Sequence, residues 1–274
     1  SAITLAFTRS PLVTVISALD IDELSEGRLI LGIGSGAMNT NRKWHNFLDF
    51  DHPSKRIESF YKVFRGIEKS IVKKNDLKFK DNYYNLELRG FKRPFDTFRS
   101  QIPLFLGGIG TKMTHISKNL FQGYIGHVVC SKSYIKDKIL PVFDKNNANH
   151  TLSSIILCAI NKNRKKALLD AKGTIAFYSI VKAYSRPFID LGFEDNIKKI
   201  RKAFFQNDVG KMIDNVTDEM VTNFAICGTP EEAKEQLNYY IDILDLPILS
   251  PPHYYLEKSI VESYQNEILE NFKI

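Results

Sequence analysis

Short apolar runs alternate along this chain with longer amphipathic stretches, and few folds accommodate that order. Leu29-Ile30-Leu31-Gly32-Ile33-Gly34 is nearly all apolar, as a strand is when both faces of a parallel sheet are covered. A polar, glycine-bearing loop follows, Ser35-Gly36-Ala37-Met38-Asn39-Thr40-Asn41. Pro53 then opens a helix with Ile57, Phe60, Tyr61, Phe64 and Ile67 on one face and Lys55, Arg56, Glu58 and Lys62 on the other. Ahead of this unit, Ser1-Ala2-Ile3-Thr4-Leu5-Ala6-Phe7 reads as a buried strand, so a further segment is expected before it. Ser10-Pro11 supplies an N-cap with proline in the first helical turn. Leu12, Val15, Ile16, Leu19 and Leu24 continue from it at helical spacing.

The same order resumes with strands at 102–106, 124–129, 153–160 and 247–249, and with helices at 112–120, 134–143, 230–244 and 255–272. Thr229-Pro230-Glu231-Glu232 is a capping box ahead of one of these helices. Six strands, each followed by helix, predict an α/β protein with a parallel sheet and helices outside it. Periodicity leaves open whether that sheet is doubly wound or closed into a (β/α)₈ barrel, which needs eight strands in typically about 250 residues. Two segments depart from the pattern within what reads as a single domain, 1–274. One is the polar and aromatic excursion near 74–100, with a hairpin expected around Phe79 to Leu88; the other is a long helical region near 163–224.

Composition narrows the classes. With 43% hydrophobic and 25% charged residues, disorder and low-complexity arrays are excluded. Lys and Arg exceed Asp and Glu by 38 to 31, a scattered excess that favours acidic ligands in general. The basic residues between Lys73 and Arg99 are interleaved with Tyr83, Tyr84 and Phe91, but Asp76, Asp81, Glu87 and Asp96 dilute them, so nucleic acid is not expected as a partner. No apolar run reaches the roughly 18 residues of a membrane span, and no membrane partner is expected. Cys130, Cys158 and Cys227 are few, odd in number and far apart, which suits a reducing, cytoplasmic setting.

Two glycine strings and one histidine carry the chemical readings. Gly32-Ile33-Gly34-Ser35-Gly36 lacks the third-glycine spacing and the immediate helix of a dinucleotide fingerprint. Its small residues either let the backbone pack closely or leave room for a planar ligand beside the Ser35 hydroxyl. Gly107-Gly108-Ile109-Gly110-Thr111-Lys112 sets freed amides, a hydroxyl and an ammonium at a helix start, which is an anion cradle or simply a strand-to-helix turn. The six histidines do not cluster and no metal site is expected. His127 reads as a core histidine or as a base, and Trp44 and His45 as a solvated or a substrate-facing loop. No nucleophile elbow and no catalytic residue is identified.

Thr8-Arg9-Ser10-Pro11, Ala18-Leu19-Asp20, Asp22-Glu23-Leu24-Ser25-Glu26-Gly27-Arg28 and Leu31-Gly32-Ile33-Gly34-Ser35-Gly36, taken in order, resemble the signature of the luciferase-like monooxygenase superfamily. Within it the resemblance is greatest to the deazaflavin-dependent branch that contains methylenetetrahydromethanopterin reductases. Ile102-Pro103-Leu104, Gly107 to Met113, Gln122-Gly123-Tyr124-Ile125 and Ala225 to Glu232 agree as well. The resemblance implies a (β/α)₈ TIM barrel that lacks its first two βα units in this chain. It implies a coenzyme F420-dependent oxidoreductase performing hydride transfer, with an FMN-dependent monooxygenase, or a non-catalytic barrel that binds only a cofactor or partner, as the alternatives. Carried onto this sequence, a bulge with a non-proline cis peptide falls at Ala2-Ile3, beside Thr4. Ser35 and Gly36 fall where the family contacts its cofactor, and Gly108, Ile109, Thr111 and Lys112 fall where it holds the cofactor's phosphate. A small-molecule substrate and a homodimer or higher homo-oligomer are implied too. Met113-Thr114-His115-Ile116-Ser117-Lys118 and Ser250-Pro251-Pro252 depart from the family's pattern, and the substrate is left unnamed.

Overall fold

A computed structural model describes residues 1–143 and 150–272, which fall into two compact units. The first comprises residues 1–125 and His150. Its elements run β1 (Thr4–Leu5), α1 (Pro11–Leu24), β2 (Leu31–Gly34), α2 (Met38–Trp44), α3 (Pro53–Lys73), β3 (Leu77–Lys80), β4 (Asn85–Leu88), β5 (Leu104–Gly108), α4 (Thr111–Leu120) and β6 (Gly123–Gly126), whose last residue opens the second unit. Strand order is β1-β2-β5-β6. β1 lies parallel to β2 with Thr4 opposite Ile33, and β2 lies parallel to β5 with Leu31 opposite Leu104. The expected hairpin forms as the antiparallel β3–β4 pair, Leu77 opposite Leu88.

The helices of this unit bury the stripes that their spacing predicts, with one exception; in the second unit Ile241, expected in a buried stripe, is 56% exposed. Val15 and Leu19 of α1 and Ile57, Phe60, Phe64 and Ile67 of α3 are in the core, whereas Leu24 at the end of α1 is 85% exposed. Ser10 caps α1 by accepting from the Val13 amide at 3.2 Å. α3 is tied to β5 by polar contacts: buried Glu68 accepts from Ile102 N at 2.8 Å and from Arg65 Nη1 at 2.7 Å. Arg65 Nη2 in turn donates to Gln122 Oε1 at 2.7 Å, and that oxygen also accepts from Leu104 N. Two cations of the basic excursion are paired within the unit. Arg93 pairs with Asp20 and Glu23, and Lys74 pairs with Asp96.

The second unit comprises residues 126–143 and 151–272. α5 (Lys132–Tyr134) runs into a π turn (Ile135–Ile139) and a 3₁₀ turn (Leu140–Val142). Then come β7 (Thr151–Ile160), α6 (Arg164–Ile180), α7 (Arg186–Asp190), α8 (Glu194–Phe205), α9 (Val209–Asp214), α10 (Asp218–Phe224), β8 (Ala225–Gly228), α11 (Pro230–Ile241), β9 (Leu246–Ser250) and α12 (Lys258–Asn271). β7 is the centre of this unit's sheet. Its second half pairs in parallel with β8, Cys158 opposite Ile226, and its first half pairs in parallel with β9, Ile155 opposite Ile248. The capping box at Thr229 and Glu232 is formed, and Tyr264 of α12 donates to buried Asp170 of α6 at 2.8 Å.

Several expectations need correction. Ala225–Gly228 is a fully buried strand that the count of six omits, because no turn signal separates it from the helix before it. The long helical region is five helices, α6 to α10, broken at Ser185, Gly192, Asp208 and Thr217. Met38–Trp44, expected as loop, is a helix with only Asn41 buried, so it has no apolar stripe to announce it. The strand expected through Val129 stops at Gly126, where the chain turns and Cys130 N donates to His127 O at 2.8 Å. Among the described residues no helix is long and apolar enough to cross a membrane.

Candidate functional site

In the first unit, β2 and the carboxyl end of β5 are built around absent side chains, against the residues that lead into β1. Ser1 N donates to Ile30 O and Gly32 N to Ser1 O, at 2.7 Å each, which sets Ser1 opposite Leu31 in a parallel ladder. Thr4 lies opposite Ile33, so the first strand carries one residue more than the second between these pairs. That is a bulge, and the peptide within it, Ala2-Ile3, is cis. The bulge seats Ala2 and Ile3 over the glycines. A β-carbon on Gly32 would come within 2.7 Å of Ala2 Cβ, one on Gly34 within 2.6 Å of Ile3 Cγ2, and one on Gly107 within 2.4 Å of Ile3 Cδ1. The glycine string therefore admits its own neighbour, and Ile3, 37% exposed, becomes the surface over Gly34 and Gly107.

The loop after β2 is fixed by a residue that sequence spacing does not flag. Asn41 is fully buried, and its Nδ2 donates to Ser35 O at 2.9 Å and Ala37 O at 3.0 Å. Gly36 has φ +66°, and a β-carbon there would meet Leu5 and Asn41. Ser35 is left half-buried with only a long contact of 3.3 Å from its hydroxyl to Gly36 O. α2 ends at Trp44, 78% exposed.

After β5, Tyr124 Oη donates to Gly108 O at 2.6 Å, a further contact that sequence spacing does not reveal. Gly110 caps α4 at φ 89° and ψ 152°, a region that essentially only glycine occupies. Among the described residues, a β-carbon built there meets nothing within 4 Å. Thr111 and Lys112 are exposed at the start of α4, where unpaired amides and the helix dipole favour an anion. They border a groove of about 650 Å³ between α3 and α4, which Ser54, Lys55, Lys62 and His115 also line, with Glu58 its one acid. Of the nine residues expected at a cofactor, Ala2 and Ile3 lie in the bulge ahead of β1, Thr4 opens that strand, and Ser35 and Gly36 follow the carboxyl end of β2; Gly108 closes β5, Ile109 follows it, and Thr111 and Lys112 open α4.

The other reactive side chains lie elsewhere. Burial pushes the Cys130 and Cys227 thiols up to about 12 and Cys158 higher still, which makes them inert as nucleophiles. Among the described residues, no three His, Cys, Asp or Glu side chains gather as a metal site.

A parallel α/β unit with a glycine-built turn between a strand end and a helix start is an architecture found among cofactor-binding enzymes. The chain belongs to the luciferase-like monooxygenase family, whose model matches residues 1–245; its members are oxidoreductases and monooxygenases, F420-dependent reductases among them. It is similar to the 5,10-methylenetetrahydromethanopterin reductase of Archaeoglobus fulgidus, 29% identical over 243 residues that cover 84% of this chain and 69% of that protein. In structure it is similar to the coenzyme F420-dependent tetrahydromethanopterin reductase of Methanopyrus kandleri, with a TM-score of 0.73 at 18% identity, covering 99% of this chain and 82% of that one. It is also similar to an F420-dependent secondary alcohol dehydrogenase, with a TM-score of 0.71 at 16% identity, covering 98% and 77%. These likenesses establish the α/β fold of the TIM-barrel oxidoreductases.

Proposed function

We propose that this chain is a coenzyme F420-dependent oxidoreductase moving a hydride between the deazaflavin and a carbon of a small-molecule substrate, with a methylene-tetrahydropterin the first substrate to try. The observation that carries this reading is the open, glycine-built turn that leads into α4 beside a basic groove. It fits a ligand with a phosphate at one end and further negative charge beyond. The first amides of α4, the Thr111 hydroxyl and the Lys112 ammonium would hold the phosphate. Ser35, Gly36, Ala2, Ile3 and Thr4 would bound the ring system, with the Ile3 side chain as an apolar floor that keeps water from one face. The deazaflavin supplies the hydride chemistry when bound, and the protein supplies binding and orientation. The relatives named for F420 support this choice, and the lysines of the groove favour an acidic deazaflavin tail over the single phosphate of FMN.

Titration with F420 and, separately, with FMN, followed by visible absorbance, tests the reading. F420 is expected to bind more tightly than FMN and to weaken as salt is raised. A following assay with methylene-tetrahydromethanopterin and reduced F420 is expected to restore the absorbance of the oxidised deazaflavin. Binding of FMN alone would turn the reading to a flavin monooxygenase, and binding of neither would overturn both. The chain is further expected to pair as a homodimer, which sedimentation equilibrium would check.

A further inference from the structure

We propose that His127, in the second unit, is a ligand-facing hydrogen-bond donor, and that with Tyr178, Tyr184 and Tyr254 it forms a recognition site for a planar heteroaromatic ring bearing a ring carbonyl. This inference rests on the oxidoreductase reading only for which molecule carries the ring. His127 directly follows the end of β6, and Tyr254 lies four residues after the end of β9. The carboxyl ends of strands are where α/β proteins place their ligands.

The imidazole is oriented and its tautomer is set. Tyr184 stacks on it at 4.3 Å and 23°, and Tyr178 meets it edge-on at 5.0 Å and 85°. Tyr178 also meets the Tyr254 ring edge-on at 5.5 Å and 86°, and that ring stacks on Phe177 at 3.6 Å and 12°. Val129 N donates to His127 Nδ1 at 3.4 Å, so Nδ1 is the acceptor and the proton sits on Nε2. Among the described residues Nε2–H has no partner. A histidine that served only the core would have both nitrogens satisfied inside; this one keeps a donor free. Burial lowers its pKa to about 4, and among the described residues the rings packed on it are tyrosines, so near neutral pH it donates as a neutral imidazole. A carbonyl oxygen is the matching acceptor, and the tyrosine rings suit a flat partner.

The test begins with the unaltered protein. Long-range proton–nitrogen correlation of the histidine rings is expected to show His127 as the Nε2–H tautomer, assigned by loss of its signal in His127→Gln. Oxidised F420, FMN and lumazine, a bare bicyclic dione, are then titrated separately. A shift of the Nε2–H signal with F420 or FMN assigns the ring to the cofactor, and a shift with lumazine alone assigns it to the substrate. His127→Phe keeps a flat ring without the donor and is expected to raise the Kd of the responding probe at least tenfold. His127→Gln, which carries an amide N–H at the reach of Nε2, is expected to restore it to within about threefold. A merely structural role would not make that distinction between the two variants. An Nδ1–H tautomer, no shift with any probe, or unaltered binding by His127→Phe would overturn the inference. Optical binding of F420 with no His127 shift by F420, FMN or lumazine would overturn it while leaving the proposed function standing. A shift with lumazine but no binding of F420 would do the reverse.

Discussion

Arg99 grips both carboxylate oxygens of Asp22, its Nε donating to Oδ2 at 3.0 Å and its Nη2 to Oδ1 at 2.7 Å. Asp22 is 1% exposed, and its Oδ1 also accepts from Leu29 N at 3.3 Å, while Arg99 reaches Leu29 O. The pair joins the last turn of α1 to the approach to β2. Removing one partner strands a buried charge, so Asp22→Ala is expected to destabilise the chain by about 3 kcal/mol or more. Arg99→Lys should cost less but remain measurable, because an ammonium cannot reproduce the two-pronged contact. Urea unfolding of both variants checks the order; a cost below about 1 kcal/mol for Asp22→Ala would show the pair to be effectively solvated.

Gly34 and Gly107 both lie under Ile3, but against different atoms. The β-carbon of Gly107→Ala would meet Cδ1, the mobile end of a partly exposed side chain, whereas that of Gly34→Ala would meet Cγ2, fixed by branching at Cβ. Gly34→Ala is therefore expected to cost about 1–3 kcal/mol and Gly107→Ala less. Adding Ile3→Ala should recover most of the Gly34→Ala loss in a double-mutant cycle. Additive effects would mean that the two residues do not share the contact.

At Gly110 the conformation alone demands glycine. Gly110→Ala meets no neighbouring atom, so its cost, of order 1–3 kcal/mol, is backbone strain, and relief of that strain would move the start of α4. Cofactor affinity should fall more for Gly110→Ala than for Lys112→Ala, which removes one exposed charge. Lys112→Ala is instead expected to flatten the salt dependence of binding. Equilibrium titrations at low and high salt measure both, and an unchanged salt dependence for Lys112→Ala would remove that lysine from the anion site.

Burial depresses the His127 pKa from 6.5 to about 4. As pH drops below 6.5 the unfolded chain takes up a proton that the folded chain refuses. The contribution is thus full above pH 6.5 and is lost as pH falls toward 4. At 1.36 kcal/mol per pKa unit it amounts to at most about 3.4 kcal/mol. Thermal unfolding of wild type and His127→Phe between pH 7 and 4.5 should show the wild type losing more; parallel curves would refute the assignment.

The three cysteines are free and buried, and burial raises all three thiols. At pH 8 the native chain is expected to react slowly with a thiol reagent and to yield three equivalents only in denaturant. Fast labelling of any one thiol in the native state would contradict its burial.

Where local chemistry and tertiary packing agree, the sequence foretells the structure. Ser10-Pro11, Pro53 and Thr229-Pro230 open the helices expected of them. The text near Phe79 folds as the antiparallel pair foreseen there. Failures came where one kind of information was absent. α2 depends on a single buried asparagine rather than on an apolar stripe, and β8 follows α10 without an intervening turn residue. At the candidate site the glycines were legible, but their occupant was not. That Ile3 fills the space above Gly34 and Gly107 is a relation across three strands, invisible to any local pattern.

Trp44 is the chain's single tryptophan, and it stands exposed at the end of the helix whose Asn41 holds Ser35 and Ala37 in place. Selective excitation of indole therefore reads out one loop of one unit rather than the whole protein. Events at the carboxyl end of β2 come with an intrinsic optical reporter, and the second unit carries no tryptophan of its own.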